Sequence, residues 1–157
     1  QGSTRGLRFD DDLGAEANLY LTATGAAWMA CLGDEEAFAL IDRQGAVNPE
    51  PGPGAPKSRE EYHSRLDFVR EHGYAWVRDS NEVGIAGVAA PVLSGNEVIG
   101  VLTVVGPTLR MNDQKMQEDS IALLKAARDL NALYIGNYPD SAVQSILSLK
   151  SSVKASA

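Results

Sequence analysis

Apolar residues fall on one helical stripe in two long stretches of the chain. Tyr62, Leu66 and Val69 recur at helical spacing, and so do Met116, Leu123, Leu124, Ala127, Leu130 and Tyr134. This period predicts one helix over 58–73 and another from Asn112 or Asp113 to about Tyr134. Ser58 followed three residues later by Glu61 fits a capping box, and Gly73 is a stop signal. Two shorter helices precede them. Thr22 or Thr24 caps a run carrying Ala26, Ala27, Met29 and Ala30, and Gly33-Asp34 ends it and starts DEEAFALIDRQ. The acidic residues of that second run suit its first turn, and Gly45 closes it.

Elsewhere the pattern is that of strands. Residues 3 to 21 read as two short strands around Leu13-Gly14, the second over Asn18 to Leu21, and YAWVRD reads as another. Val88 to Leu93 and Val98 to Val105 are β-rich runs around Ser94-Gly95-Asn96-Glu97, a good hairpin loop. Neither run alternates with polar residues, so the hairpin is expected to be covered on both faces. PEPGPGAP, residues 49 to 56, is expected to be a surface loop, and residues 139 to 157 a short helix with a polar end. Strands and helices mixed around a central hairpin predict an α+β sheet domain rather than a doubly wound dinucleotide fold.

Length and charge narrow the function. At 157 residues the chain fits one domain, and its net charge of −7 with scattered basic residues argues against gripping a phosphate backbone itself. Cys31 is the only cysteine, which rules out an internal disulfide and makes the reducing cytoplasm the expected location. Nothing approaches the apolar run that a membrane span needs, and no membrane partner is expected.

Signatures of catalysis are weak. His63 and His72 lie nine residues apart, off the spacing that would let one helix face present both to a metal, and they read as surface histidines. Cys31 sits in an apolar helix and reads as a structural thiol. Asp10-Asp11-Asp12 reads as a solvated acidic run. VGIAGVAAP lacks the glycine spacing of a nucleotide loop. No catalytic residue, metal or cofactor is expected. What remains is a concave pocket: free N–H groups around Gly25, where a helix starts, could receive an anion, and Thr103 sets one hydroxyl in a hydrocarbon strand. Satisfaction of that hydroxyl by a neighbouring backbone group is the competing reading.

Four segments together carry a family resemblance: LTATGAAWMA at 21–30, REHGYAWV at 70–77, GIAGVAAPV at 84–92 and VIGVLTVVGP at 98–107. The chain resembles the carboxy-terminal effector-binding domain of IclR-type bacterial transcriptional regulators. The resemblance implies a GAF-like or profilin-like antiparallel central sheet flanked by helices. It places the effector domain over 3–135, with a helical extension over 136–157. It also implies a small-molecule effector and a homodimer or homotetramer. DNA would be contacted only through an amino-terminal winged helix-turn-helix domain, which is not expected in this chain.

Carried over by position, the resemblance makes Leu7, Phe9, Ala23, Thr24, Gly25, Val77, Gly87, Thr103 and Val105 the ligand-binding residues. The family's acidic position falls on Val77, its cysteine on Gly87, and its two serines on Thr103 and Val105. Losing those polar groups predicts a fairly apolar or aromatic effector, whose carboxylate would sit at the Thr24-Gly25 amides. An oligomerisation domain with a degenerate pocket is the alternative. With a regular loop at Ser94–Glu97, Gly87 and Thr103 would point to opposite faces. They share a pocket only if a bulge shifts the phase, which a glycine at 87 would favour.

Overall fold

The computed structural model describes residues 18–45 and 50–137. In chain order the elements are α1 (Ala23–Met29), α2 (Asp34–Gln44), α3 (Arg59–His72), β1 (Ala75–Arg78), β2 (Ile85–Ser94), β3 (Glu97–Pro107) and α4 (Asp113–Asn137). The strands form one antiparallel sheet in the order β1-β2-β3. This is the α+β architecture expected, with the hairpin at its centre and one residue at its turn, Gly95, at φ +60°.

Helices cover both faces of β2, as the absence of polar alternation implied, but not of β3, where Thr103 and Val105 are exposed. On one face Ala86, Val88, Ala90 and Val92 pack on Met111 and on Met116, Leu123 and Ala127 of α4. On the other, Ala75, Val77 and Ala89 join Ala23, Ala26, Met29, Tyr62, Leu66 and Val69, so α1 and α3 form the second layer.

Local chemistry sets most of the boundaries. Ser58 Oγ accepts the Glu61 N–H at 3.3 Å, while Glu61 Oε2 reaches back to the Lys57 N–H at 2.7 Å. Gly73 ends α3 in the left-handed region. The proline- and glycine-rich loop is tied down: the Gly52 and Gly54 N–H groups donate to the Ser80 and Asp79 carbonyls at 2.7 and 2.9 Å.

One expected strand is not a strand. Residues 18 to 21 form a turn, because Asn18 Oδ1 accepts the N–H groups of Tyr20 (3.1 Å) and Leu21 (3.0 Å). An asparagine that bonds the backbone two and three residues on competes with any sheet ladder. The strand expected before it, the acidic run at 10–12, Leu7, Phe9 and the helix expected over 139–157 lie outside the described residues.

His63 is not merely solvated. Its Nε2 lies 2.8 Å from Asp34 Oδ2 and its Nδ1 2.9 Å from Asp67 Oδ2, and Arg70 pairs with the same two carboxylates. Both ring nitrogens can donate only in the imidazolium form. Hydrogen bonding to Asp34, with the charges of Asp34 and Asp67, raises the His63 pKa. The stability so gained is complete below about pH 6.5, the ordinary histidine value, and is lost as pH rises through the higher folded value. In an NMR titration Asp34→Asn should therefore lower the His63 midpoint. A His63 midpoint indifferent to that substitution would contradict the pairing.

Candidate functional site

The register of the hairpin decides which side chains meet. Near the loop Ser94 pairs with Glu97 and Leu93 with Val98, but Val92 pairs with Gly100, so Ile99 is an extra residue. That bulge shifts the phase by one. Beyond it Gly87 lies opposite Val105 and Ala89 opposite Thr103, while Val77 of β1 lies opposite Gly87 and Ala75 opposite Ala89. Cross-strand partners share a face. Val77, Gly87, Thr103 and Val105 therefore stand on one face of the sheet, the face that α1 crosses. The phase shift arises between Val92 and Leu93, not at Gly87.

Gly87 is where α1 comes close. A Cβ there would lie 3.9 Å from Ala23 Cβ and 3.6 Å from Val105 Cγ2, ordinary contact distances. Ala23 and Val77 are buried, Thr24 is half-buried, and Thr103 and Val105 are exposed. Among the described residues the face is thus walled at β1 and open toward β3. Its one side-chain polar atom in these rows, Thr103 Oγ1, donates to the Val88 carbonyl at 3.2 Å. The backbone-satisfied reading of that hydroxyl holds, which leaves its lone pairs as acceptor sites.

Gly25 departs from expectation. Thr22 is the helix cap, and its Oγ1 accepts the Gly25 N–H at 3.0 Å. That amide is therefore taken and cannot receive a carboxylate. What demands glycine at 25 is packing, since a Cβ would lie 2.4 Å from the Leu19 carbonyl oxygen. The Ala23 and Thr24 N–H groups have no acceptor among the described residues.

Cys31 follows α1 and is half-buried; its thiol donates to the Ala27 carbonyl at 3.3 Å, and burial raises its pKa. The raised value keeps it a neutral thiol rather than a nucleophile.

A separate cleft of about 390 Å³ opens between the Asn18–Leu21 turn, α2 and the start of α3. Asn18, Phe38 and Arg59 line it. None of these three emerged from the sequence, because they are distant in the chain and belong to no motif. The only local signal was an asparagine positioned to make a turn.

An antiparallel sheet with helices on both faces and an apolar row beside a helix start defines the class of α+β domain to which the chain belongs. The profile of the bacterial transcriptional regulator IclR C-terminal domain matches residues 2–132, and the chain belongs to that family. It is 31% identical over 127 residues to the HTH-type transcriptional regulator KdgR of Escherichia coli, covering 80% of this chain and 48% of KdgR. To XynR of the same organism it is 32% identical over 122 residues, covering 73% and 48%. The chain spans about half the length of the curated relatives it matches.

The solved C-terminal domain of E. coli KdgR has a TM-score of 0.63 at 31% identity, covering 73% of this chain and 69% of that one. An IclR regulator from Alicyclobacillus acidocaldarius reaches 0.69 at 28%, covering 83% and 51%. A double mutant of the PobR inducer-binding domain from Acinetobacter, solved with 3-hydroxybenzoic acid, reaches 0.64 at 23%, covering 72% and 65%, a likeness of fold. The relatives are transcriptional regulators, and the domain is of a regulator rather than an enzyme.

Proposed function

We propose that this domain senses a small, fairly apolar or aromatic acid on the sheet face beside α1, in the cytoplasm. In a full-length regulator it would act as a dimer or tetramer and bias the DNA-binding heads through different affinities in two states. The observation that carries this reading is the bulge between Val92 and Leu93, which gathers Val77, Gly87, Thr103 and Val105 beside Ala23. Three of those four side chains offer no hydrogen bond. A short keto acid would find few donors there, whereas an aromatic body would find apolar surface. With the Gly25 amide spent, the acid group is left the Ala23 and Thr24 N–H groups, with a re-oriented Thr103 hydroxyl.

Thermal shift with 3-hydroxybenzoate and pyruvate tests this. At a hundredfold excess over its dissociation constant, a bound acid stabilises by about 2.7 kcal/mol. The aromatic acid should raise the melting temperature and pyruvate should not. The reverse order would overturn the ligand class. A flat response to both, and to a wider panel of acids, would favour the oligomerisation reading instead.

A further inference from the structure

We propose that the cleft between the Asn18–Leu21 turn, α2 and α3 is a second small-molecule site, for a monocarboxylate with a compact apolar or aromatic body. Its volume of about 390 Å³ lies within the range of small-ligand pockets. Leu21, Phe38, Ile41 and Pro51 supply apolar walls.

The polar groups define what the ligand must carry. Asn18 is only 6% exposed. Its Oδ1 holds two backbone N–H groups, which fixes the orientation of the amide. Nδ2 is then the free donor of a residue that lines the cleft, with no acceptor among the described residues. A ligand oxygen would give that amide an acceptor.

Arg59 supplies the charge. Its guanidinium lies 5.0 Å from the Phe38 ring centroid, and only Nη2 is engaged, by Asp42. Nε and Nη1 have no acceptor among the described residues. The Asp42 carboxylate is more than half exposed, so that pair is solvent-screened and rearranges at little cost. Two donors, one cationic, over an apolar floor select an anionic acceptor attached to a hydrocarbon body.

This site is separate from the sheet face, so the two can be told apart residue by residue. Sodium phenylacetate titrated into the chain, followed by NMR, should give saturable shifts of the Asn18 side-chain amide and the Arg59 Nε–H. Asn18→Asp keeps the oxygen that forms the turn and replaces the donor with a carboxylate. It should weaken binding about tenfold or more, as the loss of a charge-assisted hydrogen bond does. Arg59→Gln carries the same expectation on an exposed side chain, should Asn18→Asp disturb folding. Thr103→Val should leave these shifts unchanged, and phenylacetamide should bind more weakly than phenylacetate. Shifts confined to Gly87 and Thr103 would overturn the second site while supporting the sheet-face reading. Absence of any saturable shift at millimolar ligand, or undiminished binding by both variants, would overturn it as well.

Discussion

Gly25→Ala should lower the stability of the domain by about 2–3 kcal/mol, whereas Gly87→Ala should change it by about 0.5 kcal/mol or less. The two glycines look alike in the sequence, each beside alanines in an apolar run. Space separates them. At position 25 a methyl group would lie 2.4 Å from the Leu19 oxygen and 2.5 Å from its Cα, backbone atoms that cannot rotate aside. Relief requires α1 to lift from the Asn18–Thr22 turn, which would strain the Gly25–Thr22 cap and the Asn18 carbonyl's bond to the Thr22 N–H at 3.2 Å. At position 87 the same methyl meets its neighbours at 3.6 Å or more. Urea unfolding of both variants checks this, and equal losses would show that the contact at Leu19 relaxes freely. Gly87→Leu goes further, since its bulk would occupy the proposed sheet-face site. It should abolish aromatic-acid shifts at Thr103 and leave those at Asn18 and Arg59 unchanged.

How much of this was legible in the sequence depended on how local each cause is. The start of α3 was readable because Ser58 and Glu61 act within one turn. The hairpin was readable because Gly95-Asn96 sits between two β-rich runs. Asn18–Leu21 misled because its apolar residues suggest a strand, while the deciding bonds come from the Asn18 side chain to its own neighbours. Gly25 was placed correctly at a helix start but given the wrong task. Its amide is claimed by Thr22, and which threonine caps was left open by a sequence with Thr22 and Thr24 both available. The shared face of Gly87 and Thr103 hung on one extra residue, Ile99, and no residue pattern announced it. A bulge between Val92 and Leu93 re-aims every side chain beyond it. The second cleft was beyond reach for a different reason: residues 18, 38 and 59 meet only through packing.

That packing centres on Tyr62, and its removal should have the largest effect in the molecule. Tyr62 is fully buried, with ring centroids 4.7 Å from Tyr20 and 6.1 Å from Phe38. Its hydroxyl donates to the Leu19 carbonyl at 2.8 Å. Burial pushes that hydroxyl far above the ordinary tyrosine range, so it remains a donor at any working pH. Tyr62→Ala should cost about 3–5 kcal/mol, the toll of a large cavity in a packed core, against a usual total of about 5–15 kcal/mol. Tyr62→Phe keeps the ring and should cost about 1 kcal/mol, the net worth of one hydrogen bond. The turn that Tyr62 holds through Leu19 is the one that backs Gly25 and presents Asn18 to the cleft. Tyr62→Phe should therefore weaken phenylacetate binding at the cleft by more than its small stability loss suggests, because Asn18 would be less firmly placed. Circular dichroism melts and the phenylacetate titration measure the two effects on one sample. If Tyr62→Phe bound phenylacetate as the unaltered chain does, the turn would hold its shape without Tyr62, and positioning of Asn18 would rest on its own two backbone hydrogen bonds.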